Sequence, residues 1–115
     1  MTKFDVKALR EKVMASDDIV FDEVTVPEWD VTLPVRSIAP ADLKKVMKYK
    51  DDPIRLAILA VIYGCKTEDG EAVFVEKDLA QFENNKSFGA VQVIAEKVLE
   101  ISGFGDKAVD EAKNV

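Results

Sequence analysis

Residues 20–35 hold two short runs of alternating apolar and polar residues, Val20 to Val26 and Trp29 to Val35, which meet at Pro27-Glu28-Trp29-Asp30. A period of two puts Val24 and Val26 of the first run, and Trp29, Val31, Leu33 and Val35 of the second, on one face of a sheet, so the segment predicts a β-hairpin. Pro34 has no backbone N–H to give to a ladder, which places its strand at an edge or beside a bulge. An open edge can accept a strand from a partner. The valine face needs a cover, and the patterning of the rest of the chain is helical.

Residues 5–15 space Val6, Leu9 and Val13 as a short amphipathic helix, with Lys7, Arg10, Glu11 and Lys12 elsewhere on its surface. Pro40 suits a first helical position and Asp42 suits the positive end of the helix dipole; Leu43, Val46 and Met47 then form the buried stripe. Asp52-Pro53 opens a helix to Tyr63, with Gly64 in the C′ role. Apart from Arg55 this helix is apolar all round and predicts the central, fully buried element. The Glu68-Asp69-Gly70 turn separates Cys65-Lys66 from Ala72-Val73-Phe74, as a second small hairpin or only as a loop. A short helix over residues 76–84 turns Leu79 and Phe82 inward. Ser87 caps the longest helix, whose Phe88, Val91, Ile94, Ala95, Val98 and Ile101 keep a 3.6 period, and Gly103 ends it. Residues 106–115 are expected to form a loose C-terminal tail. The fold class is therefore α+β, a single domain over residues 1–115: a small antiparallel hairpin or sheet packed against three to five helices.

The 115 residues suffice for one core, and 48% apolar with 33% charged residues is globular composition. A net charge of −6 argues against a nucleic-acid partner, which calls for a basic face. The single cysteine, Cys65, cannot close an internal disulfide, so a reducing cytosol is the expected compartment. The N-terminal residues lack the apolar core of a signal peptide. The longest apolar run, Leu56 to Tyr63, is far short of the roughly 20 residues that span a bilayer, so no membrane role is expected.

Catalytic apparatus is not visible. The chain has no histidine, which removes the commonest acid–base group at neutral pH and the commonest zinc ligand. Cys65 follows the C-terminus of a helix, the end of the dipole that disfavours a thiolate, and reads as a buried residue. No phosphate-binding loop is present, and Asp17-Asp18, Asp51-Asp52 and Glu68-Asp69 lack calcium-loop spacing; turns and caps account for them. Neither a cofactor nor a metal is expected, and the chain does not read as an enzyme.

Five residues are candidates for contact with a partner. Lys44, Lys45 and Lys48, together with Lys50, project from the exposed side of the second helix, where they either steer an acidic segment or form a solvated face. Trp29 is either an exposed aromatic anchor or a lid folded back over the valines of its own hairpin. Phe104, two residues beyond Ser102, suits the C″ position of a Schellman cap packed onto Leu99, against a role in binding.

Taken in order, several segments carry a family likeness. They are Asp17-Asp18-Ile19, Val24-x-Val26-Pro27-Glu28-Trp29, Val35-Arg36, the apolar helix ending in Tyr63-Gly64-Cys65, the Glu68-Asp69-Gly70 turn before Val73-Phe74, and the closing Val91 to Gly103 helix. The chain resembles the tail assembly chaperones of long-tailed bacteriophages, and departs from their pattern at Ala39-Pro40 and Gly103-Phe104-Gly105. The resemblance implies a protein that binds the tape-measure protein stoichiometrically during tail morphogenesis, shields its apolar surface and helps bring tail-tube subunits to it. It also implies possible self-association, action in the host cytoplasm and absence from the mature virion. Many such chaperones exist in two lengths through a ribosomal slip of one nucleotide, and Ala112-Lys113-Asn114 can be encoded across the heptamer A AAA AAC. The alternative is a small tail or head–tail structural protein retained in the particle.

Overall fold

The structure, a computed structural model, describes residues 4–104. The expected loose tail at 106–115 lies outside the described residues. The order is α1 (Val6–Ala15), β1 (Phe21–Val26), a 3₁₀ turn (Pro27–Trp29), β2 (Val31–Arg36), α2 (Pro40–Met47), α3 (Pro53–Gly64), a second 3₁₀ turn (Glu76–Asp78), α4 (Leu79–Asn85) and α5 (Phe88–Ile101). Among the described residues, five helices and one two-stranded antiparallel sheet make an α+β fold.

The hairpin pairs Val24 with Leu33 and Val26 with Val31. Val24, Val26, Leu33 and Val35 share the buried face, while Val31 remains exposed beside the turn. Asp30 closes the four-residue connection in the left-handed region at φ 52°, a conformation that the short polar side chain of aspartate tolerates. Ser37 N–H donates to the Val20 carbonyl at 2.9 Å, which fixes the phase of the alternating ladder. Pro34, opposite Glu23, therefore stands where its nitrogen faces the outer edge, as an edge strand requires. Glu23 faces the other edge, and its N–H donates instead to Asp22 Oδ1 at 2.7 Å. Both edges of the sheet thus lack their central free donor.

Only α5 packs extensively on the hairpin, and α3 packs on the far side of α5, flanked by α2 and α4. The helices accordingly form two tiers, not one layer on the sheet. Val91, Ile94, Ala95 and Val98 of α5 face Ile58, Val61 and Ile62 of α3 within one core. Every residue of α3 from Ala57 to Gly64 is buried, as its apolar sequence requires, but the helix is not buried throughout: its first turn faces solvent, with Ile54 56% exposed. Gly64 departs from expectation: it is the last residue of the helix and not a left-handed C′ residue, and Val98 occupies the place of a side chain there. Met47 and Phe88, expected in buried stripes, are exposed.

Ser102 ties the two ends of the fold together. Its hydroxyl donates to Val98 O at 2.6 Å and accepts the Ile38 N–H at 2.9 Å, satisfying a backbone donor in the β2–α2 connection. Between α3 and α4, residues 66–72 form a turn with a single bridge, Lys66 to Ala72, intermediate between a hairpin and a loop.

The first helix stands apart. Asp5 caps it by accepting the Ala8 N–H at 3.2 Å, yet none of its residues is buried. Val6, Leu9 and Val13, the apolar stripe seen in the sequence, are 77%, 45% and 66% exposed. A helix of 10 residues that buries nothing lacks the tertiary packing that normally stabilises helices of this length.

Candidate functional site

The lysines of α2 stand over a groove between α2, α3 and the start of α4. Lys44, Lys45, Lys48 and Lys50 are all exposed, and they follow one another so closely because the last turn of α2 runs into Tyr49-Lys50-Asp51. Cations at this position also complement the negative end of the α2 dipole. Lys45 is engaged with its own domain: its Nζ lies 3.8 Å from Asp42 and 5.3 Å from the centroid of the Tyr63 ring. No carboxylate pairs with Lys44, Lys48 or Lys50 among the described residues.

Below Lys45 and Lys48 the groove has a volume of about 270 Å³. Leu59 and Tyr63 of α3, both nearly buried, form its floor, with Tyr49 and Leu79 at the sides. Glu76 closes the opposite rim, where its carboxylate accepts a hydrogen bond from the Tyr63 hydroxyl. Tyr49 is held in turn by Arg55, whose guanidinium carbon is 5.4 Å from the ring centroid. Arg55 also donates through Nε and Nη2 to Glu83 Oε1 at 3.1 and 2.9 Å, joining α3 to α4 and raising the guanidinium pKa further. A second concavity of about 340 Å³ lies beside the hairpin, lined by Asp22, Glu23, Pro34, Lys66 and Glu68 among others. Three carboxylates against the single Lys66 leave its lining net acidic, opposite in sign to the lysine rim of α2.

Trp29 is not an isolated anchor. Its ring centroid lies 6.1 Å from that of Phe82, which meets Phe74 edge-on at 5.0 Å. This aromatic row joins the hairpin turn to α4, so Trp29 reaches beyond its own hairpin and is half-buried. The Phe104 backbone completes a Schellman motif: its N–H donates to Leu99 O at 2.7 Å, while Gly103, at φ 100°, donates to Glu100 O at 3.2 Å. Of the five candidates, the structure brings Lys45 and Lys48 into one groove. Lys44 is on the same helix outside it, and Trp29 and Phe104 lie elsewhere. The floor and far rim escaped the sequence reading because no local periodicity relates residues 45–49 to residues 59–63 or to residues 76–79.

The groove is apolar and aromatic at its floor, with lysines on one rim and Glu76 on the other. Cys65 is buried and burial pushes its thiol up to about 12, so it offers no thiolate near neutral pH. Among the described residues no group of three or more His, Cys, Asp or Glu side chains is placed to hold a metal ion, and no helix is long and apolar enough to cross a membrane.

Comparison with known proteins places this architecture. The tail assembly chaperone of bacteriophage HK97 superposes with a TM-score of 0.59 at 15% sequence identity, over 83% of this chain and 97% of the other. The chain has the fold of that phage tail assembly chaperone. No protein-family model matches the sequence, and no curated protein is significantly similar to it. At 15% identity the likeness resides in the order and packing of the elements and not in shared side chains.

Proposed function

We propose that this protein is a phage tail assembly chaperone that binds the tape-measure protein stoichiometrically while the tail is built and helps recruit tail-tube subunits. The observation that carries the reading is the common fold, which extends over almost the whole length of the HK97 protein. The uncovered apolar stripe of α1 agrees with it, since a protein that shields apolar client surface needs apolar surface of its own to offer. In this reading the protein works in the host cytoplasm, associates with further copies of itself along a long client and leaves before the particle is complete. Tube subunits are recruited by a longer form, made by the slip at Lys113-Asn114.

The test is co-expression with an otherwise insoluble fragment of the tape-measure protein encoded nearby. The fragment is expected to stay in solution with this chain at stoichiometric ratio and without ATP. An equally insoluble fragment in its presence and absence ends the chaperone reading. Recovery of this chain as a component of purified particles instead supports a retained structural protein.

A further inference from the structure

We propose that the groove between α2, α3 and the start of α4 is the docking site for an acidic amphipathic segment of a partner protein, anchored by apolar side chains and held by carboxylates over Lys45 and Lys48. The assignment stands on the groove alone and not on the identity of the client.

Four observations lead to it. The floor, Leu59 and Tyr63 with Tyr49 and Leu79 beside them, is apolar and aromatic, the composition of surfaces that take up anchor side chains. The volume, about 270 Å³ and open to solvent, lies below the roughly 300–1,000 Å³ of pockets that enclose small ligands, and fits side chains presented by a larger partner. Lys45 and Lys48 are spaced three residues apart, so on α2 and its continuation they stand as neighbours along the rim. Finally, four lysines within residues 44–50 make a local positive field on a chain of net charge −6, and three of them pair with no carboxylate among the described residues.

Charge decides between occupants. A basic or neutral apolar segment would place nothing over Lys48, whereas Asp or Glu beside the apolar anchors would pair with it and steer the approach. A nucleic-acid strand would lay its phosphates over Lys45 and Lys48 but brings no aliphatic side chain to fill the Leu59 and Leu79 surface between them and Glu76. Arg55 does not add to the rim charge, because Glu83 holds it.

The experiment titrates the isotopically labelled full chain, at about 0.15 M salt where distant surface charges are screened, with a designed peptide. The peptide is helical, about 15 residues long, with leucines three and four apart and glutamates elsewhere. Saturable binding is expected, with amide shifts at Tyr49, Tyr63 and Leu79. Lys48→Glu, and Lys48→Gln as a variant that only removes the charge, are expected to weaken it by about tenfold and about threefold. Lys44→Glu, which changes the net charge equally but lies outside the groove, is expected to change it less than about twofold. The proposal is overturned by no saturable binding, by shifts confined to α1 or the hairpin, or by equal binding of the same peptide with lysines for glutamates. Equal binding of an oligothymidylate also overturns it. So does concentration-dependent sedimentation of the protein alone that Lys48→Glu abolishes, because the occupant is then a second copy of this chain.

Discussion

Gly64 and Val98 meet so closely that a β-carbon added to Gly64 would stand 2.4 Å from Val98 Cγ1, 2.6 Å from Cγ2 and 3.0 Å from Cβ. Turning the valine side chain relieves the first two contacts but not the third, because Cβ is fixed by the α5 backbone. α3 and α5 therefore approach at this point to a distance that only glycine permits. Gly64→Ala gains up to about 1 kcal/mol of helix propensity and loses about 1–3 kcal/mol to overpacking. Net destabilisation is expected, read as a lower urea midpoint at unchanged slope. Val98→Ala in the same chain should recover part of the loss, so that the double variant is less destabilised than the two single effects added. A higher midpoint for Gly64→Ala would remove the close approach from the account.

The all-apolar α3 sets the second expectation. Leu59→Ala and Ile62→Ala each remove a nearly buried side chain of the core and should cost about 2–5 kcal/mol, a large part of the stability of a domain of this size. Lys44→Ala should cost almost nothing. Lys45→Ala should cost up to about 1 kcal/mol, since it removes an exposed ion pair and a contact with the Tyr63 ring. Thermal melts of the four variants give the order directly.

Asp22 points from the end of the valine face to Lys97 of α5, with 2.8 Å between Oδ2 and Nζ. The hydrogen bond to Lys97 and that from the Glu23 N–H hold the Asp22 carboxyl below its ordinary 3.8, and the same contact raises Lys97 above 10.5. For a carboxylate with a depressed folded pKa, the stabilisation is present above 3.8 and is lost as pH falls through the folded value. For the lysine it is fully present below 10.5 and is lost as pH rises through its raised folded value. Carboxyl chemical shifts followed against pH should put Asp22 below 3.8, and Lys97→Met should return it towards that value. Added salt should narrow the difference, because the pair is exposed.

Cys65 provides a probe of opening. Its thiol is fully buried and is pushed up to about 12, so in the native state a disulfide reagent at pH 8 should react only at the rate of unfolding. In urea the reaction should be fast. The raised value also means that the unfolded chain ionises first. Stability should therefore fall as pH rises from about 9, the ordinary thiol value, towards 12. Rapid native-state labelling would place Cys65 at the surface.

The hairpin, the apolar α3 and the α5 stripe were legible because each follows from local spacing: alternation for Val24, Val26, Leu33 and Val35, and a 3.6 period for Val91, Ile94 and Val98. What local spacing cannot supply is the neighbour. Gly64 is ambiguous between ending a helix and admitting another one until Val98 is placed beside it. The stripe of α1 looks the same in sequence whether or not it is covered, and here it is not. Phe88 sits in phase with the α5 core residues, yet it is the first residue of the helix and is 44% exposed. The groove was half legible, through Lys45 and Lys48, while Tyr49, Leu59 and Tyr63 reach it only by tertiary packing.

The placement of the hairpin's edge donors bears on how the sheet can meet a strand of another chain. A two-stranded sheet exposes two rows of backbone groups, each a ready template for pairing with another chain and for growth of a cross-β stack. Here one row is interrupted by the ring of Pro34 and the other by the Asp22 carboxylate on the Glu23 N–H. A foreign strand meeting either edge finds no continuous run of donors to align with. Contact with another chain is thereby left to side chains, and the sheet serves as scaffold without becoming a template.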